Sequence, residues 1–266
     1  MIEPVWTPSP QRQRDAHMTA FMLAASEVAG EPLTDYESLH TWSVNDRAAF
    51  WTLLWSYADV RAHRDHDQVL VDGDRMPGAT WFTGAQLNFA ENLLKHSGAE
   101  PALIFCDERG QREVVSWDEL RTQVANLAAV LRDWGVNPGD RVAGLLPNRP
   151  EAVIAMLAAT SVGAVWSSCS PDFGVNGVID RFGQIEPKVL FVADGYFYAG
   201  KTIDSLPRVK AISAKLPTLL ATICVSSLVE RPNIGDIPDS HHFGDLVHGN
   251  HELEFTPLPF DHPLYI

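Results

Sequence analysis

Between Arg141 and Ser226, short apolar runs alternate with helical patterns, and that alternation narrows the choice of fold more than anything else in the chain. "RVAGLLP", "AVWSSCS", "KVLFVAD" and "ATICVSS" each read as a strand. Helical spacing fills the gaps: from Arg149 or Pro150 to about Val162, from Val175 to Ile185, and, broken, from Thr202 to Ala214. The strands are apolar along their whole length, where a half-wet strand would alternate. Such strands need cover on both faces, so the pattern predicts an α/β fold with a parallel, doubly wound sheet flanked by helices. Ligands of such sheets sit beyond the carboxyl ends of the strands, in the crevice where the winding reverses. The candidate ligand loops are therefore 147–149, 168–174 and 194–201.

Upstream, "ALIFCDERGQREVVSW" predicts two strands around a polar turn holding Gly110. Ser116 and Glu119 have capping-box spacing, and Trp117, Leu120, Val124, Leu127, Leu131 and Trp134 follow at helical steps. Gly135 stands where a left-handed helix terminator belongs, and "NPGD" turns the chain. The first hundred residues are helical and rich in aromatics. One helix is expected from Arg12 to Ala29, closed by Gly30. A second, capped by Asn45 or Asp46, carries Phe50, Trp51, Leu54, Trp55 and Ala58. A Gly-broken loop then leads to a short helix with Leu87, Ala90, Leu93 and Leu94 inward. This region is expected to be a helical arm over residues 1–98 that precedes the sheet domain.

The balance of charge excludes several partners. Twenty Lys and Arg stand against 34 Asp and Glu, a net charge of −14. A nonspecific grip on nucleic acid or an anionic membrane needs a basic surface, so neither partner is expected. The three cysteines, Cys106, Cys169 and Cys224, form no close pair. No disulfide framework or thiolate zinc site is expected, and a cytoplasmic location follows. The opening residues hold no apolar core of the kind a secretory leader needs, and the longest apolar stretch, 152–166, is shorter than the ~20 residues of a membrane span.

Two patterns invite chemistry and fall short of it. Gly195 to Thr202 matches the phosphate-loop pattern G-x-x-x-x-G-K-[ST] letter by letter. Its variable positions, however, are Tyr, Phe, Tyr and Ala, and Pro207 would interrupt the helix that should follow. The next strand also lacks a terminal Asp for magnesium, so a coincidental match is expected. Histidines cluster at 63–67 and 241–251 without metal-ligand spacing on a clear element, and are expected to be solvated loop residues. Cys169 ends a strand at a ligand-loop position, where a small buried thiol is the alternative.

Several segments together resemble the adenylate-forming acyl-CoA synthetases, and among them the branch that activates acetoacetate. "WFTGAQLNFAENLL" (Trp81 to Leu94) is similar to the segment before the main domain of these enzymes. The stretch from Val114 to Gly174 resembles the next part element by element. "SSCSPDFG" and "GYFYAGK" are the more distinguishing pieces. The resemblance implies ATP-dependent formation of an acyl-adenylate, then transfer of the acyl group to the thiol of coenzyme A, with Mg2+ assisting. It also implies that 99–266 is a partial AMP-binding domain.

In relatives the Ser/Thr/Gly-rich phosphate loop follows a strand like "DHPLYI". The chain is therefore expected to be an N-terminal fragment, silent on its own, whose missing C-terminal part is a partner. It is expected to bind none of the cofactors tightly, and no catalytic or metal-binding residue is assigned to it. Two arginines that hold the nucleotide part of coenzyme A in acetate-activating relatives correspond here to Tyr198 and Lys201. The resemblance implies that Lys201 meets the 3′-phosphate and Tyr198 stacks on adenine. It implies too that Ser168, Cys169 and Ser170 line the pantetheine entrance. An ordinary exposed lysine is the alternative at 201. Two further readings stay open: a short-chain synthetase of the propionate or acetate type, and a stand-alone, non-catalytic interaction domain.

Overall fold

The computed structural model describes residues 5–266; residues 1–4, the beginning of the stretch considered above for a leader, lie outside them. The chain divides into two compact units, Met1–Gln86 and Leu87–Ile266.

In the second unit, five parallel strands form one sheet. Across it they run Ser240–His242, Ala221–Val225, Val189–Ala193, Arg141–Leu145 and Val165–Cys169. In chain order that is 5-4-3-1-2. The first strand is an inner one, its successor lies on one side, and all the later strands lie on the other. The winding therefore reverses between Arg141–Leu145 and Val189–Ala193. Apart from Arg141 at the start of the first, both are apolar because helices cover both faces. Leu120, Val124, Leu127, Ile154, Leu157 and Phe191 pack on one side. Val178, Phe182, Leu190, Val192, Val209 and Ile212 pack on the other. Neighbouring residues of one strand thus feed opposite cores. Each such side chain contributes about 1.5–3 kcal/mol by leaving water.

Local signals account for the helices. Ser116 accepts from the Glu119 amide at 3.2 Å while Glu119 accepts from the Ser116 amide at 2.8 Å, which starts the helix Trp117–Asp133. Arg149 precedes Pro150, whose fixed φ suits the first position of Pro150–Val162. Asn88, almost fully buried, caps Phe89–Leu93. Its amide nitrogen donates to the carbonyls of Thr160, Ser161 and Thr256. That ties the short helix to Pro150–Val162; Leu93, expected inward, is exposed.

Three other expectations change. The helix anticipated from Thr202 is absent: Gly195–Tyr198 and Lys201–Asp204 form an antiparallel hairpin, and the helix is Leu206–Ser213. Pro207 lies in its first turn, where a missing N–H costs nothing, so it starts the helix instead of breaking it. Of the clustered histidines, His241 and His242 belong to a sheet strand, and the His241 ring lies tilted against Trp134 with centroids 4.8 Å apart. Leu264–Ile266 lies parallel to Val165–Cys169. The Trp166 amide donates to the Leu264 carbonyl and the Ile266 amide to the Trp166 carbonyl, each at 3.0 Å.

In the first unit, the expected Arg12–Ala29 helix is two, Pro10–Arg14 and His17–Ala29. Asp35 and Ser38 build a capping box for Tyr36–Asn45, a helix the sequence did not announce, and Asp46 caps Arg47–Tyr57. Phe21, Ala25, Leu33, Leu39 and Trp42 form a small core. His66 is mostly enclosed by Trp55 and Phe82, with ring centroids at 5.1 and 5.3 Å. It is an aromatic packing residue where a solvated one was expected.

Candidate functional site

The strand ends converge where the winding reverses. Loops that follow Arg141–Leu145, Val165–Cys169 and Val189–Ala193 enclose a cleft of about 500 Å3. Its walls include Pro147, Trp166, Ser168, Cys169, Ser170 and Tyr198. A smaller pocket of about 190 Å3 adjoins it, shares Pro147, Asn148, Tyr196 and Phe197, and adds Arg109 and Arg149. The three loops chosen from sequence are the ones that meet here, as the switch-point rule requires.

Each wall is fixed by its own chemistry. Asp194, 2% exposed, follows its strand and accepts from the amides of Ser227, Leu228 and Val229 at 2.7–3.1 Å. Those charge-assisted bonds hold the loop after Ala221–Val225 against the start of the hairpin. Tyr196 donates its hydroxyl to Asp172 at 2.6 Å, and Ser170 donates to the other oxygen of the same carboxylate at 3.0 Å. One carboxylate thus joins the 168–174 loop to the hairpin. Burial, with Asp172 adding to it, pushes the Tyr196 pKa up, so the phenol keeps the proton it donates.

In the smaller pocket, Arg149 reaches Glu151 at 2.9 and 3.0 Å and Glu113 at 3.4 Å. Burial works against the Arg149 charge, but the two carboxylates outweigh it and raise its pKa. Burial and the neighbouring Glu151 raise the pKa of Glu113, against the pull of Arg149.

Burial also pushes the Cys169 thiol up to about 11. A thiol in that state is a neutral, soft wall at physiological pH and a poor nucleophile. Ser168 and Ser170 are exposed beside it, and Tyr198, 62% exposed, stands at the rim. The structure thus brings Ser168, Cys169, Ser170 and Tyr198 to one cleft. Lys201 is not in its wall; it pairs with Tyr198 across the hairpin turn. Asp172, Tyr196 and Glu108 were not singled out from sequence. Asp172 sits inside the distinguishing "SSCSPDFG" piece and was open to notice; Glu108 acts across ninety residues and carried no signal.

The phosphate-loop pattern does not make a phosphate loop. Its residues are strand, turn and strand, and no helix begins at Lys201. The amides of Ala199 and Gly200 are held by the Glu108 carboxylate at 2.9 Å each. Among the described residues no three His, Cys, Asp or Glu side chains converge to hold a metal ion. No described helix is long and apolar enough to cross a membrane.

A doubly wound sheet with its cleft at the switch point is a place where such domains bind small molecules, and comparison with known proteins gives the family. Residues 89–263 match the AMP-binding enzyme family, and 36–93 match the acetyl-coenzyme A synthetase N-terminus. The chain belongs to the AMP-binding enzyme family. It is 44% identical over 266 residues to an acetoacetyl-coenzyme A synthetase of Rhizobium meliloti (strain 1021), covering 99% of this chain and 40% of that protein. An acetoacetyl-CoA synthetase of Gallus gallus is 40% identical, over 97% of this chain and 40% of its own length. The solved acetoacetyl-CoA synthetase from Streptomyces lividans superposes with a TM-score of 0.91 at 45% identity, over 99% of this chain and 41% of that one. The chain spans about two fifths of the relatives it matches.

Proposed function

We propose that these residues serve an acid–thiol ligase that converts acetoacetate, ATP and coenzyme A to acetoacetyl-CoA, AMP and pyrophosphate in the cytoplasm, and that their own share is the approach of coenzyme A. The observation that carries this reading is the strand-end cleft, in a chain 44–45% identical to synthetases of that name. The family works with ATP, coenzyme A and magnesium. Coenzyme A supplies a long neutral chain ending in a thiol, and a phosphorylated nucleotide at the other end. The cleft shares a wall with the second pocket, and offers hydroxyls of Ser168 and Ser170 beside the Cys169 surface.

In this reading, Tyr198 offers an aromatic face at the rim and Lys201 a point charge for phosphate across the turn. Orientation is the contribution expected of such walls: a thiol held in line with an activated acyl group reacts as a unimolecular partner. Asp172 and Tyr196 keep the two loops at a fixed separation. The domain division proposed here remains an arm over 1–98 and a portion of the AMP-binding domain over 99–266, with residues outside this chain gripping the triphosphate.

A fusion of this chain to the remaining three fifths of the Rhizobium meliloti relative tests the assignment. The fusion is expected to release AMP with acetoacetate, and at least about tenfold less with acetate or propionate. This polypeptide alone is expected to release none above background. Preference for acetate or propionate overturns the substrate, and turnover by the polypeptide alone overturns the division of labour. A malonamoyl-CoA synthetase of Penicillium aethiopicum is also 36% identical over 95% of this chain, which makes malonamate a necessary fourth acid in the panel.

A further inference from the structure

The floor of the strand-end cleft depends on a close approach that a glycine permits. Across the sheet Val142 lies beside Trp166 and Gly144 beside Ser168, so these four residues share one face. The Trp166 indole reaches along that face over Gly144, where a Cβ would stand 2.7 Å from Cζ2 and 2.8 Å from Cη2. No ordinary Cβ contact is so short, and the missing side chain is what lets the ring settle on the strand. The Phe191 ring meets it from the other neighbouring strand, tilted, with centroids 6.1 Å apart. The main chain of Trp166 is also taken: its amide donates to the Leu264 carbonyl and its carbonyl accepts from the Ile266 amide, each at 3.0 Å. The ring is therefore held in one place.

Its polar atom is left over. Trp166 is only 6% exposed and forms the cleft wall together with Leu146, Pro147 and Ala152. A tryptophan this deeply placed ordinarily finds an acceptor for its N–H. Among the described residues none meets the Trp166 indole, whose residue makes main-chain hydrogen bonds alone. Nor is Nε1 sealed in, as the unpartnered Ser227 hydroxyl is. An indole can donate and cannot accept. No Lys, Arg or His lines this cleft, so an ionised oxygen on its floor would lose water and gain no counter-charge. The occupant that fits is a neutral acceptor on an otherwise apolar chain.

We propose that the Trp166 indole N–H binds an amide carbonyl in the neutral chain of the thiol substrate, at the apolar floor of the cleft. The proposal rests on the reading in which coenzyme A approaches through this cleft. The amides of that chain lie between the nucleotide and the thiol. One fixed donor on the way sets how far the thiol advances. Trp166 is thus a binding residue that sets depth, while Asp172 and Tyr196 set the separation of the walls.

Pantetheine, which has the amides and the thiol but no nucleotide, is the probe. It is followed through the indole N–H NMR signal of Trp166, identified by nuclear Overhauser contacts of its ring with Gly144. The signal is read in the unsubstituted chain, so no variant has to fold for the test to decide. A saturable downfield shift is expected, and 2-mercaptoethanol, a thiol without an amide, is expected to leave the signal in place. Trp166→Phe, which keeps a ring and loses the donor, is expected to weaken pantetheine about fivefold. Gly144→Ala, which drives the ring off the strand, is expected to move the signal in the free chain and to weaken pantetheine at least as much. A Trp166 signal that stays still while pantetheine or coenzyme A saturates the chain overturns the proposal and leaves the reading of the cleft standing. An equal shift with 2-mercaptoethanol does the same. Failure of both pantetheine and coenzyme A to saturate overturns the two together.

Discussion

The two units bury their side chains in different ways. In Leu87–Ile266, the strands Val189–Ala193 and Ala221–Val225 are buried at every residue, and adjacent positions such as Leu190 and Phe191 feed opposite cores. In Met1–Gln86, the helix Arg47–Tyr57 has no fully buried residue. That unit is held by aromatic edges: Phe21 on Tyr57 at 5.0 Å and on Phe50 at 5.8 Å, and Trp42 on Phe50 at 6.0 Å. A sheet covered on both faces gives a dry interior, while a helical cluster of five buried residues stays partly wet. The difference teaches where rigidity is available. The loops that build the cleft are anchored on the dry side.

Thiol reactivity gives the largest effect. Burial pushes the Cys224 thiol up to about 12 and the Cys169 thiol up to about 11. At pH 8 their thiolate fractions are then about one in ten thousand and one in a thousand, and each rises about tenfold per pH unit. Exposed Cys106 is therefore expected to be alkylated first, Cys169 slowly and faster as pH rises, and Cys224 only on unfolding. Rapid labelling of Cys224 in the native chain would break the contrast, because it would mean that the sheet opens to water.

Phe191→Ala, in the middle of the sheet, is expected to cost about 3–5 kcal/mol, read by urea unfolding. Leu39→Ala is expected to cost about 2 kcal/mol, at the low end for such a change, because half-wet neighbours relax into the space. Hydrogen exchange is the check, with lost protection confined to the first unit. If Leu39→Ala costs as much as Phe191→Ala, the two interiors are equally tight and the comparison fails.

A smaller loss, about 1 kcal/mol, is expected for Ser116→Ala, which removes the helix cap. The Ser116 amide, and then its hydroxyl, hold the Glu119 carboxyl below its usual range. A carboxylate with a lowered folded pKa adds stability above its unfolded pKa, and that stability is lost as pH falls through the folded one. The cost of Ser116→Ala is therefore expected to shrink in acid, which unfolding curves at neutral and acid pH will show.

Legibility in the sequence followed the range of the interactions. Strands that are apolar throughout and helices with caps beside them were readable, since every signal lay within a few residues: Ser116 with Glu119, Pro150 at a helix start. Ser240–His242 was not, because a polar edge strand has neither alternation nor apolar length. The hairpin was hidden by its turn, in which Ala199 takes a left-handed conformation usually announced by Asn or Asp before Gly. Pro207 was read as a helix breaker because the start of its helix was placed four residues early. Loop positions at the cleft could be named from the strand pattern and the resemblance. The partners that hold them, Asp172 for Tyr196 and Glu108 for the hairpin tip, join residues 24 and about ninety apart, which no local pattern encodes.

Calorimetric titration of coenzyme A into this chain tests the central claim, that the three strand-end loops form a seat for a phosphorylated thiol. One weak but saturable site, weakened about a further tenfold when Tyr198→Ala and Lys201→Ala are combined, is the predicted result. Absence of saturable heat, or binding indifferent to both substitutions, contradicts it.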